Sequence, residues 1–210
     1  MRILLAVLAA AATTPAVHHT AGGTKAARTS LLRLSDLGKG WSGKASAQTG
    51  LRLNCSGHAV SGSGLVETGA AASPSFSYGK TGPFISQETS VFATGAQANA
   101  YWRRGVTQAL ANCVAQSLEA VSVKGVRVTL VSAKQIPIGA GLAHEAEFRV
   151  VGRLHTSANT LTNYFDVILL GRGKTITELT VSSFQSAVPA SVEAGLARLV
   201  ARRLGATGAA

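Results

Sequence analysis

Residues 126–184, VRVTLVSAKQIPIGAGLAHEAEFRVVGRLHTSANTLTNYFDVILLGRGKTITELTVSSF, decide the fold. Four runs rich in β-branched and apolar residues, 126–136, 144–154, 161–170 and 175–184, alternate with turn chemistry. Pro137-Ile138-Gly139-Ala140-Gly141 ends the first run, Thr156-Ser157-Ala158-Asn159 the second, and Gly171-Arg172-Gly173-Lys174 the third. Connections this short join antiparallel neighbours, because a parallel crossover needs about a dozen residues or more. The segment therefore predicts a four-stranded antiparallel meander.

In the second run Ala146, Phe148 and Val150 alternate with Glu145, Glu147 and Arg149, the pattern of a strand with one dry and one wet face. The third run places Tyr164, Phe165, Val167, Ile168, Leu169 and Leu170 on both faces, the mark of a central strand covered on each side. Upstream, Thr94 is a candidate N-cap for a long helix over about 95–120, with Ala98, Trp102, Val106, Ala109, Leu110, Cys113 and Leu118 at helical spacing. Downstream, Pro189 opens a closing helix over 190–204 with Val192, Leu196, Leu199 and Val200 on its inner face; Gly205 ends it, and 205–210 form a disordered tail. The fold class is α+β: an antiparallel meander packed against a long central helix and a C-terminal helix.

The front half is patterned more weakly. Residues 84–92 suit a partly exposed strand, and 29–37 suit a short helix ending at Gly38. Arg2, the apolar run 3–12 and the small residues after it read as a secretory signal peptide over 1–16, cut near residue 12 or 16. No cysteine follows the run, so the expectation is a secreted or extracytoplasmic protein without a lipid anchor. Residues 17–27 are then a leader and 28–204 a single domain.

Cys55 and Cys113 are an even pair in an oxidising compartment, which argues for one disulfide tying the front third to the long helix. The competing reading is a reactive cysteine, which needs a neighbouring base.

Twenty Lys and Arg against nine Asp and Glu give a net charge of +11, which favours anionic partners. The bases are spread along the chain, with clusters at Arg103-Arg104 and at Arg198, Arg202 and Arg203, and aromatics are only 5%; a nucleic-acid reader would interleave stacking residues. Wall polymers and lipid headgroups are the fitting anions, beside a plain solvated surface.

Residues 171–175 resemble the end of a phosphate-binding loop, but Ile168 stands where its first glycine belongs and a hairpin follows where a helix is required. Gly62-Ser63-Gly64 lacks the glycine spacing of a nucleophile elbow. His58, His144 and His155 have no partner at metal-ligand spacing beyond His144-Glu145, which points to opposite faces of a strand. Glu145 and Glu147 share a strand face, where pairing with Arg127 or Arg149 outweighs acid–base work, and a buried Asp166 needs a donor. No catalytic, cofactor-binding or metal residue is assigned.

Ser35-Asp36-Leu37-Gly38-Lys39-Gly40-Trp41, Cys55, residues 86–94 running into Ala100-Tyr101-Trp102, and Cys113, followed by the meander and final helix, resemble the actinobacterial extracytoplasmic proteins related to the PknH-like sensor domain. The resemblance implies a helix-flanked antiparallel sheet with a cleft for an unidentified envelope ligand and no catalytic residues. Two features depart from it: one possible disulfide instead of two, and no attached kinase. The function expected is a non-enzymatic, secreted binding domain for an envelope lipid, glycan or peptide. Charge-driven docking on anionic wall polymers is the alternative, and a hydrolase with an unrecognised site the third reading.

Overall fold

The computed structural model describes residues 14–45, 54–55, 58–119 and 127–207, with the side chains of 54–55, 58–59, 117–119 and 206–207 outside the described set. Along the chain run β1 (Ala16–Val17), α1 (Ala21–Ser30), a 3-10 turn (Leu34–Asp36), β2 (Trp41–Lys44), β3 (Asn54–Cys55), β4 (His58–Ala59), β5 (Val66–Ala72), β6 (Ser75–Tyr78) and β7 (Phe84–Phe92). They are followed by α2 (Gly95–Gly105), α3 (Gln108–Glu119), β8 (Arg127–Ile136), β9 (His144–His155), β10 (Thr160–Arg172), β11 (Thr175–Phe184) and α4 (Ala190–Thr207).

The meander lies where its turns put it. Strands β8 to β11 pair antiparallel in sequence, and Gly173, at φ +59°, supplies the left-handed residue of the β10–β11 turn. The strands run β1-β5-β7-β11-β10-β9-β8, with β6 also on β7 and β2 on β6. Because β1 pairs parallel to β5, the sheet is mixed and not purely antiparallel. One face packs on α2 and α3 through Phe92, Tyr101, Leu110, Phe148, Leu169 and Ile176. The other packs on α4 through Ile85, Ile168, Leu170, Leu179, Val200 and Leu204, and on α1 through Ala27, Leu31, Ala71 and Val91.

Four expectations need correction. The single helix over 95–120 is two, broken at Val106 (φ −91°, ψ 82°): Gly105 and the β-branched pair Val106-Thr107 are poor helix formers in succession. The break lets α2 pack toward β7, β10 and β11 while α3 packs on β8 and β9. Residues 17–27 are not a leader outside the domain, since they hold most of α1, with Ala27 fully buried, and the helix predicted over 29–37 starts eight residues earlier. Gly23 and Gly69 bring α1 onto β5 so closely that a Cβ on either would overlap the other strand or helix backbone. Strand β7 is less exposed than expected: Phe84, Ser86 and Glu88 are partly exposed and the other residues are buried. Its buried Gln87 accepts from the Leu32 N–H (2.7 Å) and donates to the Ser30 carbonyl (3.2 Å) and Thr177 Oγ1 (2.9 Å), which satisfies a polar group under α1. Finally, α4 continues through Gly205 to Thr207. Glycine there makes room for Arg172, whose Nη1 would stand 2.6 Å from a Cβ at 205.

Cys113 is buried on α3 and is not a free thiol. Helix α3 packs against the β3–β4 pair that carries Cys55, whose side chain lies outside the described residues.

Candidate functional site

A shallow cleft, largely open to solvent, lies between α2 and the β10–β11 turn, lined by Ala98, Asn99, Trp102, His144, Arg172 and Thr175 among others. Its shape follows from local sequence. Thr94 caps α2, accepting from the Gln97 N–H at 3.2 Å, and Ala98 and Tyr101 anchor the helix in the core. Trp102, the next residue round, is left half-buried at the cleft. Its ring meets His144 nearly edge-on, with centroids 5.1 Å apart and planes at 63°. Gly171 forms the floor: a Cβ there would stand 3.1 Å from His144 Cβ and 3.4 Å from Trp102 Cε3. At the rim a Cβ on Gly95 would lie 3.3 Å from the Gly173 carbonyl. The cleft offers an aromatic face, an amide, an imidazole and a hydroxyl, groups able to stack and to hydrogen-bond, while the Arg172 guanidinium turns away to α4 at Gly205. As it stands the cleft is a shallow notch with enclosed room for about one water molecule, so a larger group would rest on it or widen it.

A second constellation lies under α4. Antiparallel register places Arg149 opposite Asp166 and Glu147 opposite Ile168, all facing the helix, which contributes Glu193. Arg149 Nε donates to Asp166 Oδ1 at 2.6 Å, and Nη2 to Asp166 Oδ2 at 3.2 Å and Glu193 Oε2 at 2.8 Å; Glu147 Oε1 is 3.8 Å from Nη2. Glu147, Asp166 and Glu193 are each no more than 1% exposed, and Oε1 of both glutamates has no hydrogen-bond partner. Three carboxyls share one guanidinium, so at least one must be neutral. Burial, then the Asp166 charge, raises Glu147 to about 7, and burial, then Asp166 and Glu147, raises Glu193 to about 8. Burial opposes the Arg149 charge, but the surrounding carboxyls outweigh it and hold the group charged. Oxygens of the three acids lie within 4.8 Å of one another, a hard donor set, yet Arg149 already stands where an ion would. With its three acids buried and only Arg149 partly exposed, the cluster stores protons and pins α4 to the sheet.

The structure thus brings Glu147, Arg149 and Asp166 together, and corrects the wet face predicted for β9: α4 covers it. Glu145 stands apart, accepting from the Leu142 N–H at 2.8 Å. His155 bridges Thr129 (2.9 Å) and Thr160 (3.1 Å), His144 lies in the cleft, and the side chain of His58 lies outside the described residues. Around Gly62-Ser63-Gly64, Arg104 donates to the carbonyls of Ser61 (2.8 Å) and Ser63 (2.9 Å), a loop clamp. Residues 171–175 make the hairpin turn. Sequence reasoning missed Glu193 by assigning Val192 and Leu199 to the inner face of α4; Val192 is 46% exposed. The signal was present: Glu193, Leu196, Ala197, Val200 and Leu204 form the helical stripe that is buried.

The chain matches no family model and no curated protein. Among solved structures it is similar to the extracellular domain of PknH from Mycobacterium tuberculosis, with a TM-score of 0.51 at 13% identity over 87% of this chain and 95% of that one. The likeness is one of fold. Among the described residues no helix is long and apolar enough to cross a membrane.

Proposed function

We propose that this chain is a non-enzymatic, extracytoplasmic ligand-binding domain, and that the shallow cleft between α2 and the β10–β11 turn is where an envelope lipid, glycan or peptide rests against it. The observation that carries the reading is the glycine floor: Gly171, where a Cβ would crowd both His144 and Trp102, keeps open a slot beside the half-buried indole. An indole face beside amide, imidazole and hydroxyl groups recognises a ring by stacking and its substituents by hydrogen bonds. The likeness in fold to the extracellular domain of PknH, and the signal-like residues 1–16, support the location.

Native mass spectrometry of the protein recovered from its own host's envelope and culture fluid, against its denatured mass, tests the reading. A discrete excess mass, lost on denaturation and lost in Trp102→Ala, is the expected result. A bare polypeptide mass from both sources overturns the binding function, and an excess mass that survives Trp102→Ala overturns the cleft as its seat.

A further inference from the structure

We infer that the outer face of the α1–α4 layer is a docking surface for a linear polyanion whose repeating charge is phosphate. The two helices lie side by side over the same sheet face. Helix α1 contains no acid, and the sole acid of α4, Glu193, is turned inward and 0% exposed. Asp36, the acid of the connecting turn, is held by Arg203 Nη1 and Nη2, each at 2.8 Å. Lys25, Arg28, Arg198 and Arg202 are all exposed, with no acidic partner among the described residues; exposed Arg33 stands beside Asp36, and the Arg172 guanidinium lies against the last turns of α4 at Gly205. Sequestering Glu193 is thus what leaves the surface with one sign of charge. Arginine predominates, and its planar fork meets phosphate oxygens in pairs where a lysine offers a point charge. Between the cations the exposed residues are mostly small or hydroxylated: Ala21, Gly22, Thr29 and Ser191. Large apolar exposure in this layer is confined to Val192 and Leu34, and no aromatic stands on either helix, so there is little to bury in a bilayer interface and nothing to stack on nucleic-acid bases.

The test is binding of the mature protein to linear inorganic polyphosphate of defined length, followed by fluorescence anisotropy. With five phosphate contacts and a slope of about −0.7 per contact, raising salt from about 50 to 200 mM lowers affinity roughly 100-fold. A variant combining Lys25→Gln, Arg28→Gln, Arg198→Gln and Arg202→Gln, all exposed positions, loses at least tenfold in affinity and most of the salt slope. A second variant removes the same charge elsewhere, by Arg103→Gln, Arg127→Gln, Lys134→Gln and Arg153→Gln, and keeps its affinity within about twofold. Equal loss in both variants overturns the surface in favour of net charge alone. Polygalacturonate bound as tightly as polyphosphate overturns the phosphate assignment, and tighter binding to phosphatidylglycerol vesicles replaces the polymer by a bilayer. Trp102→Ala leaves polyphosphate binding unchanged, which separates this surface from the cleft.

Discussion

The acid cluster beneath α4 makes stability fall as pH rises across neutrality. Glu147 and Glu193 have ordinary values near 4.5 in the unfolded chain, while the folded protein holds them protonated up to about 7 and about 8. The folded state therefore binds the extra protons. Below pH 4.5 both states are protonated and nothing is lost; between 4.5 and 8 the unfolded chain gains by ionising; above 8 the loss is complete. At 1.36 kcal/mol per pH unit, raising Glu147 alone from 4.5 to 7 amounts to about 3 kcal/mol, and Glu193 adds to it. Glu178, raised to about 7 by burial and by Glu88 opposite it on β7, acts with the same sign. Asp36 does not interfere: burial pushes it up, but the Arg203 hydrogen bonds outweigh this and lower it, so its contribution is lost only in acid. Urea unfolding followed by tryptophan fluorescence at pH 5 and 8.5 measures the effect. With a urea dependence of about 2 kcal/mol/M, the midpoint drops by about 1.5 M or more at the higher pH. In the double variant Glu147→Gln and Glu193→Gln, amides replace the neutral acids, so the drop is at least halved and stability at pH 8.5 rises. A wild-type midpoint that is level or higher at pH 8.5, or a double variant with the full drop, refutes the assignment.

Removing the shared cation is harsher than removing an acid. Arg149→Leu leaves buried carboxyls uncompensated and costs about 3–5 kcal/mol at pH 8, with a smaller loss at pH 5 where the glutamates are neutral, as chemical denaturation at the two pH values will show. Gly69→Ala drives a methyl into the backbone of α1 at Gly23, so it lowers stability by about 2 kcal/mol or more and speeds amide hydrogen exchange in 21–30 before the meander. Cys55 and Cys113 are expected as one linked peptide after non-reducing digestion; the bridge closes a loop of 58 residues (113 − 55), for which chain entropy gives about 4 kcal/mol. Free thiols in freshly isolated protein would remove that pairing.

The sequence by itself determined the meander. Period-two alternation and turn residues act within a few residues of each other, so the strand boundaries of β8 to β11, the central place of β10 and the cap of α2 at Thr94 could all be read locally. The need of Asp166 for a donor was legible too, because an acid in an apolar strand has few alternatives. Tertiary structure decided what covers what. Glu147 and Arg149 alternate like solvent-facing residues, and only the closure of α4, which starts 35 residues after β9 ends (190 − 155), makes them the core of an ion cluster. Helix α1 escaped local reading because seven of its ten residues are glycine, alanine or threonine, with little apolar signal; its stability comes from fitting glycine against glycine on β5 and from Gln87, contacts made across more than forty residues. The cleft likewise depends on Gly171, His144 and Trp102 meeting from three separate elements, a juxtaposition that no spacing along one element encodes.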